Sequence, residues 1–121
     1  MARILIVDDE AQIRMLLRQL LEKDGYEIDE AADGLIAIRK FKENPFDLVI
    51  LDLIMPEKEG VETIIDLKKE FKDAKIIAIS GGGRVGPENY LKSAERLGAA
   101  RTFTKPIENE KLIKAVKELL N

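Results

Sequence analysis

The chain has 121 residues, with 20 lysines and arginines against 23 aspartates and glutamates, for a net charge of −3, which is room for one domain with its own core. It contains no cysteine and no histidine, so disulfide frameworks, thiol nucleophiles, histidine zinc sites and every Ser/His/Asp triad are excluded, leaving carboxylates, hydroxyls, lysines and a metal that prefers oxygen. The acidic balance argues against nucleic acid as a direct partner, and apolar runs such as residues 4–7 and 48–51 fall far short of the ~20 residues that span a bilayer. The expectation is a cytoplasmic protein that engages neither membrane nor nucleic acid.

In chain order, the first strand is predicted at residues 3–7 and stops at Asp8 and Asp9. Asp9 followed by Gln12 resembles a capping box, and Ile13, Leu16, Leu17 and Leu20 follow as the core-facing stripe of a helix. Gly25 marks a helix end; residues 26–31 alternate in polarity and read as an edge strand, with Gly34 at the next turn and Pro45 beside a helix boundary. Strands are predicted at 48–51 and 75–79, of which residues 48–51 and 76–79 are apolar on both faces, as central parallel strands must be. Between them lies a helix carrying Val61, Ile64 and Ile65, and after them a helix opens at Pro87 and closes near Gly98. A fifth strand at 101–103 leads past Pro106, read alone as a helix starter, into a last helix with Leu112, Ile113, Val116 and Leu120 on one face.

Five βα units of this length predict an α/β three-layer sandwich: a five-stranded parallel sheet with five helices. The flavodoxin-like order 2-1-3-4-5 brings the first and third strands together at the switch point, where ligands bind at the carboxyl ends. Asp8 and Asp9 follow the first strand, Asp52 the third, Ser80 the fourth, and Lys105 and Pro106 the fifth. Taken singly, each has a plain structural reading: a helix cap, a polar strand end, a turn hydroxyl, a surface lysine. Together they occupy one sheet edge. Two carboxylates at ~4 Å repel by about 4 kcal/mol at an effective dielectric near 20, so the cluster needs a cation or a raised pKa. With oxygen ligands only, Mg²⁺ is the leading candidate.

These residues carry a resemblance. Residues 4–10 (Ile-Leu-Ile-Val-Asp-Asp-Glu), the run from Phe46 through Asp52 to Met55, Pro56 and Gly60, then Ser80, then Thr104, Lys105 and Pro106, resemble the receiver domains of two-component response regulators over essentially the whole chain. The resemblance implies that Asp52 accepts a phosphoryl group from the phosphohistidine of a histidine kinase or histidine phosphotransfer domain. It implies Mg²⁺ held by Asp8, Asp9, Asp52 and the backbone carbonyl of Ile54, with Lys105 and the Ser80 hydroxyl on phosphoryl oxygens. It also implies that Ser80 and an inward-turning Phe103 form a switch that repacks the surface of the fourth helix, fifth strand and fifth helix for partner binding, and that the Lys105–Pro106 bond is cis.

On this reading residues 1–121 are all receiver, with no output domain, and the downstream partner is a separate protein or an output domain fused in a longer parent chain. The domain would catalyse its own phosphorylation and dephosphorylation without conventional activity on a small-molecule substrate. It is expected to be a monomer or a weak phosphorylation-dependent dimer, with Arg96, Arg101, Lys111 and Lys114 as candidate contacts. Three other readings keep part of the pattern. An unphosphorylated interaction module with a retained acidic pocket is disfavoured by the intact Asp8, Asp9, Asp52, Ser80 and Lys105. A phosphatase with an aspartyl nucleophile would want a second Asp where Ile54 stands. Gly81, Gly83 and Gly86 have the G-x-G-x-x-G spacing of nucleotide loops, but on the fourth strand and without the distal acidic residue, so a flexible loop beside Ser80 is the better expectation.

Overall fold

Strand residues alternate faces with a period of two, and here that alternation sorts the core into two halves. The computed structural model describes residues 2–53, 60–81 and 87–121, with the backbone alone for 87–90. In chain order the elements are β1 (Arg3–Val7), α1 (Ala11–Glu22), β2 (Glu27–Ala31), α2 (Gly34–Glu43), β3 (Leu48–Asp52), α3 (Gly60–Glu70), β4 (Ile76–Ser80), α4 (Pro87–Leu97), β5 (Arg101–Thr104) and α5 (Asn109–Leu120). All neighbouring strands pair in parallel, in the order β2-β1-β3-β4-β5. Leu5, Val7, Val49, Leu51, Ile76 and Ala78 pack with Ala37 and Phe41 of α2, Ile64 and Leu67 of α3, and Ala94 of α4. The alternate residues Ile4, Ile6, Leu48, Ile50, Ile77 and Ile79 pack with Leu21 of α1 and Leu112, Ala115 and Val116 of α5. Each fully buried aliphatic side chain contributes about 1.5–3 kcal/mol of transfer free energy, and covering both sheet faces is what makes the central strands continuously apolar.

The structure departs from the sequence reading at several edges. β3 and β4 extend to include Asp52 and Ser80, and β5 includes Thr104, because the ladder continues: the Leu53 N–H donates to the Ile79 carbonyl at 2.9 Å and the Lys105 N–H to the Ser80 carbonyl at 2.9 Å. Helix α1 starts at Ala11 with Glu10 at its cap and no side-chain cap bond. The Asp9 capping box does not form, since the cap falls one residue later, at Glu10, whose own N–H goes to Asp8 Oδ1 at 2.9 Å. Leu16 is 59% exposed and Met15 51%; the seam of α1 runs instead through Leu17, Leu20 and Leu21. In α3 the buried line is Gly60, Thr63, Ile64 and Leu67, leaving Ile65 outside it. Gly25 and Gly98 take φ of +88° and +113°, the left-handed conformation that favours glycine after a helix. Pro106 does not start α5; the Lys105–Pro106 bond is cis and the helix begins at Asn109. Among the described residues, no helix is long and apolar enough to cross a membrane.

Candidate functional site

The parallel register brings the predicted residues to one edge. Asp8 follows β1, and its N–H donates to the Ala31 carbonyl of β2 at 3.2 Å; its side chain is buried, with 3% residue exposure. Asp52 ends β3 and is buried as well. Lys105 follows β5, and its Nζ lies 3.4 Å from Asp8 Oδ2 and 3.3 Å from Asp52 Oδ2. One ammonium therefore serves two buried carboxylates on adjacent strands. Burial pushes the Asp8 carboxyl above its ordinary value; the Glu10 N–H opposes this, the charge of Asp52 adds to it, and Lys105 offsets only part. Burial would lower Lys105, but the carboxylates of Asp52 and Asp8 outweigh it and hold the ammonium above its ordinary range. Among the described residues, one ammonium thus faces two buried carboxylates.

Carboxylate oxygens of Asp8, Asp9 and Glu10 lie within 4.8 Å of one another, Asp8 buried and the other two exposed. An all-oxygen set that is open to solvent on one side fits Mg²⁺, which keeps several waters and takes few protein ligands. Glu10 was missed as a candidate; the only signal for it was the Asp-Asp-Glu run itself. Asp52 joins Asp8 through the shared lysine. Ile54 lies outside the described residues, as do Met55, Pro56 and residues 82–86 of the glycine loop.

Ser80 is fully buried at the end of β4, and its Oγ has no hydrogen-bond partner among the described residues. Such a group costs about 1–3 kcal/mol, which suits a hydroxyl kept for an acceptor that arrives later. Next to it, Gly81 has no room for a side chain: a Cβ would lie 2.7 Å from Lys105 Cβ. Phe103 is partly buried against the α1 and α5 side of the core. Of the candidate dimer contacts, Arg101 pairs loosely with Glu118 and Lys111 with Glu108, both at 3.9 Å on the surface. A largely apolar groove of about 570 Å³ adjoins the acidic edge, lined by Ile13, Leu16 and Leu17 of α1, Pro106 and Ile107 beyond β5, and by Asp8 and Lys105. The groove was hidden in the sequence because Leu16 fits a core stripe.

Residues 4–117 match the family described as the response regulator receiver domain. The chain is 36% identical over 120 residues to the chemotaxis protein CheY of Bacillus subtilis, covering 98% of each chain. It is 39% identical over 118 residues to the transcriptional regulatory protein ResD of the same organism, covering 98% of this chain and 48% of that one. Among solved structures, the response regulator protein TrrA from Thermotoga maritima, in complex with Mg²⁺-BeF, superimposes with a TM-score of 0.85 at 39% identity, covering 99% of this chain and 100% of that one. The chain therefore belongs to the response regulator receiver domains, the signalling receivers of two-component systems.

Proposed function

We propose that Asp52 is the phosphoacceptor of this receiver. Its carboxylate attacks phosphorus on the phosphohistidine of a histidine kinase or phosphotransfer domain; the P–N bond breaks, the Oδ–P bond forms, and the imidazole leaves. The observation that carries this reading is the Lys105 ammonium set between Asp8 and Asp52: a lysine already committed to the acceptor carboxylate can follow a phosphoryl oxygen once the acyl phosphate forms. The Ser80 hydroxyl, without a partner among the described residues, is the second donor for that group. Asp8, Asp9 and Asp52, with the Ile54 carbonyl, would hold Mg²⁺, and Glu10, whose carboxylate lies within 4.8 Å of those of Asp8 and Asp9, would orient its waters. When bound, Mg²⁺ supplies the charge neutralisation that lets an anionic nucleophile approach a phosphoryl group. The complex of TrrA with Mg²⁺-BeF supports Mg²⁺ as the ion of the site.

The added charge of about −1.5 to −2 is then read by Ser80 closing on the phosphoryl group and Phe103 turning inward, which repacks the face of α4, β5 and α5. That face meets a downstream protein or an output domain in a longer parent chain, with a weak dimer as the self-associated form. The groove along α1 gives a donor protein an apolar surface that ends at Asp8 and Lys105. Residues 1–121 act as one receiver unit, in the cytoplasm. The test is incubation with acetyl phosphate and Mg²⁺, read by intact mass. One phosphoryl group is expected on the parent chain, none on Asp52→Asn, and no Mg²⁺-dependent labelling of Asp9→Ala. A label that persists on Asp52→Asn refutes the assignment.

A further inference from the structure

Arg14 sits one turn into α1 with its side chain only 16% exposed, and it does not touch the acidic pocket's carboxylates. Its Nη1 donates instead to the main-chain carbonyl of Asp8, while its Nε donates to Glu30 Oε1 on β2 at 3.1 Å. The other Glu30 oxygen takes Arg18 Nη1 at 2.6 Å, and Arg18 is tied further to the Ile28 carbonyl at 3.1 Å and to Glu22 at 3.3 Å. Two arginines and two glutamates cancel in charge, so the network brings no net positive charge to compete with a cation at the pocket. The carbonyl that Arg14 holds belongs to the peptide joining Asp8 to Asp9. Because that unit is planar, fixing its oxygen fixes ψ of Asp8 and so places the N and Cα of Asp9, the point from which the Asp9 carboxylate leaves the chain. The same Asp8 residue is held from the other side by its N–H on Ala31 of β2.

We propose that Arg14, anchored by Glu30, is a positioning residue that sets the Asp8–Asp9 peptide and so preorganises the carboxylate cluster for its divalent cation. The inference rests on the metal reading given under Proposed function. Arg18 provides the matched control, since it shares Glu30 but makes no contact with the Asp8 carbonyl.

The experiment is calorimetric titration of the unphosphorylated chain with Mg²⁺ alone, paired with urea unfolding of each variant. Removing an outer-shell orienting partner costs about 10–100-fold in metal affinity. Arg14→Gln is expected to weaken Mg²⁺ binding by about tenfold, and Arg14→Lys, which keeps a charged donor, to recover part of the loss. Arg18→Gln should lose comparable stability and keep its Mg²⁺ affinity. Should Arg14→Gln fail to fold, the comparison of Arg14→Lys with Arg18→Gln decides. Mg²⁺ affinity unchanged in the Arg14 variants, or weakened equally by Arg18→Gln, overturns the positioning role alone. A parent chain that binds no Mg²⁺ overturns the metal reading and the positioning role with it.

Discussion

Gly60, the first residue of α3, is where helix propensity and sterics predict opposite outcomes. Alanine is better than glycine in a helix by up to about 1 kcal/mol, so Gly60→Ala should stabilise if the local backbone were all that mattered. A Cβ at Gly60, however, would lie 2.4 Å from Leu53 Cα and 2.6 Å from the Asp52 carbonyl oxygen, both main-chain atoms that cannot swing aside. Ordinary contact begins at 3.4 Å, so the start of α3 must retreat by about 1 Å from the end of β3. The Gly60 N–H to Leu53 carbonyl bond, 3.0 Å long, would stretch beyond hydrogen-bond range, at about 1 kcal/mol. Forcing extra volume into packed structure costs a further 1–3 kcal/mol or so. Less the propensity gain, the net loss is about 2 kcal/mol. Urea unfolding at pH 7 reads this directly: with a slope of about 2 kcal/mol per molar, the midpoint should fall by about 1 M. Because one of the crowded atoms is the main-chain oxygen of Asp52, the acetyl phosphate labelling rate should fall as well. A midpoint equal to or above that of the parent chain refutes the steric reasoning.

Three further outcomes follow from the same geometry. Gly81→Ala should drive the Lys105 stem off the two carboxylates, given the 2.7 Å approach to Lys105 Cβ, and slow labelling by about tenfold, a barrier change of about 1.4 kcal/mol; an unchanged rate in a stopped time course would show that the lysine needs no such clearance. Leu16→Glu, at an exposed position, should change stability by no more than about 0.5 kcal/mol and leave acetyl phosphate labelling intact while slowing transfer from a phosphorylated donor protein; equal slowing with both donors contradicts the docking role of the groove. At Glu30, burial alone would raise the carboxyl, but Arg18 and Arg14 outweigh it and hold it below its ordinary 4.5. The folded chain then binds fewer protons there than the unfolded chain, so the stability from ionised Glu30 is present above pH 4.5 and lost as pH falls through the lower folded value. Glu30→Gln should therefore be less stable by about 1 kcal/mol at pH 7, with the gap closing in acid; a gap independent of pH removes the ion pairs as its cause.

Much of this fold was legible because its strands are buried on both faces. Residues 4–7, 48–51 and 76–79 have no polar member to place elsewhere, and the alternating residues of β2 mark the edge. Asp8, Asp52 and Lys105 were legible as a group because they end successive strands of a parallel sheet, and only topology could bring together residues so far apart in the chain. What escaped was set by tertiary geometry. Leu16 has the spacing of a core residue, yet α1 is rotated so that Leu21 takes the buried place. Asp9 has the spacing of a cap, yet the helix starts one residue later, with Glu10 at its cap. The limit of β3 at Asp52 depends on a bond from Leu53 to Ile79, a partner no local window contains. Arg14 reads in sequence as one of several helix charges; its tie to the Asp8 carbonyl exists only once the β1–α1 turn folds back over the helix.

Phosphorylation of Asp52 is most directly tested by trapping. After treatment with acetyl phosphate and Mg²⁺, borohydride reduces an acyl phosphate to the corresponding alcohol, and tandem mass spectrometry of the peptides locates it. The reduced side chain is expected at position 52, and only when Mg²⁺ was present. Reduction at Asp8 or Asp9, or no reduced residue in a chain shown to bind Mg²⁺, would contradict it.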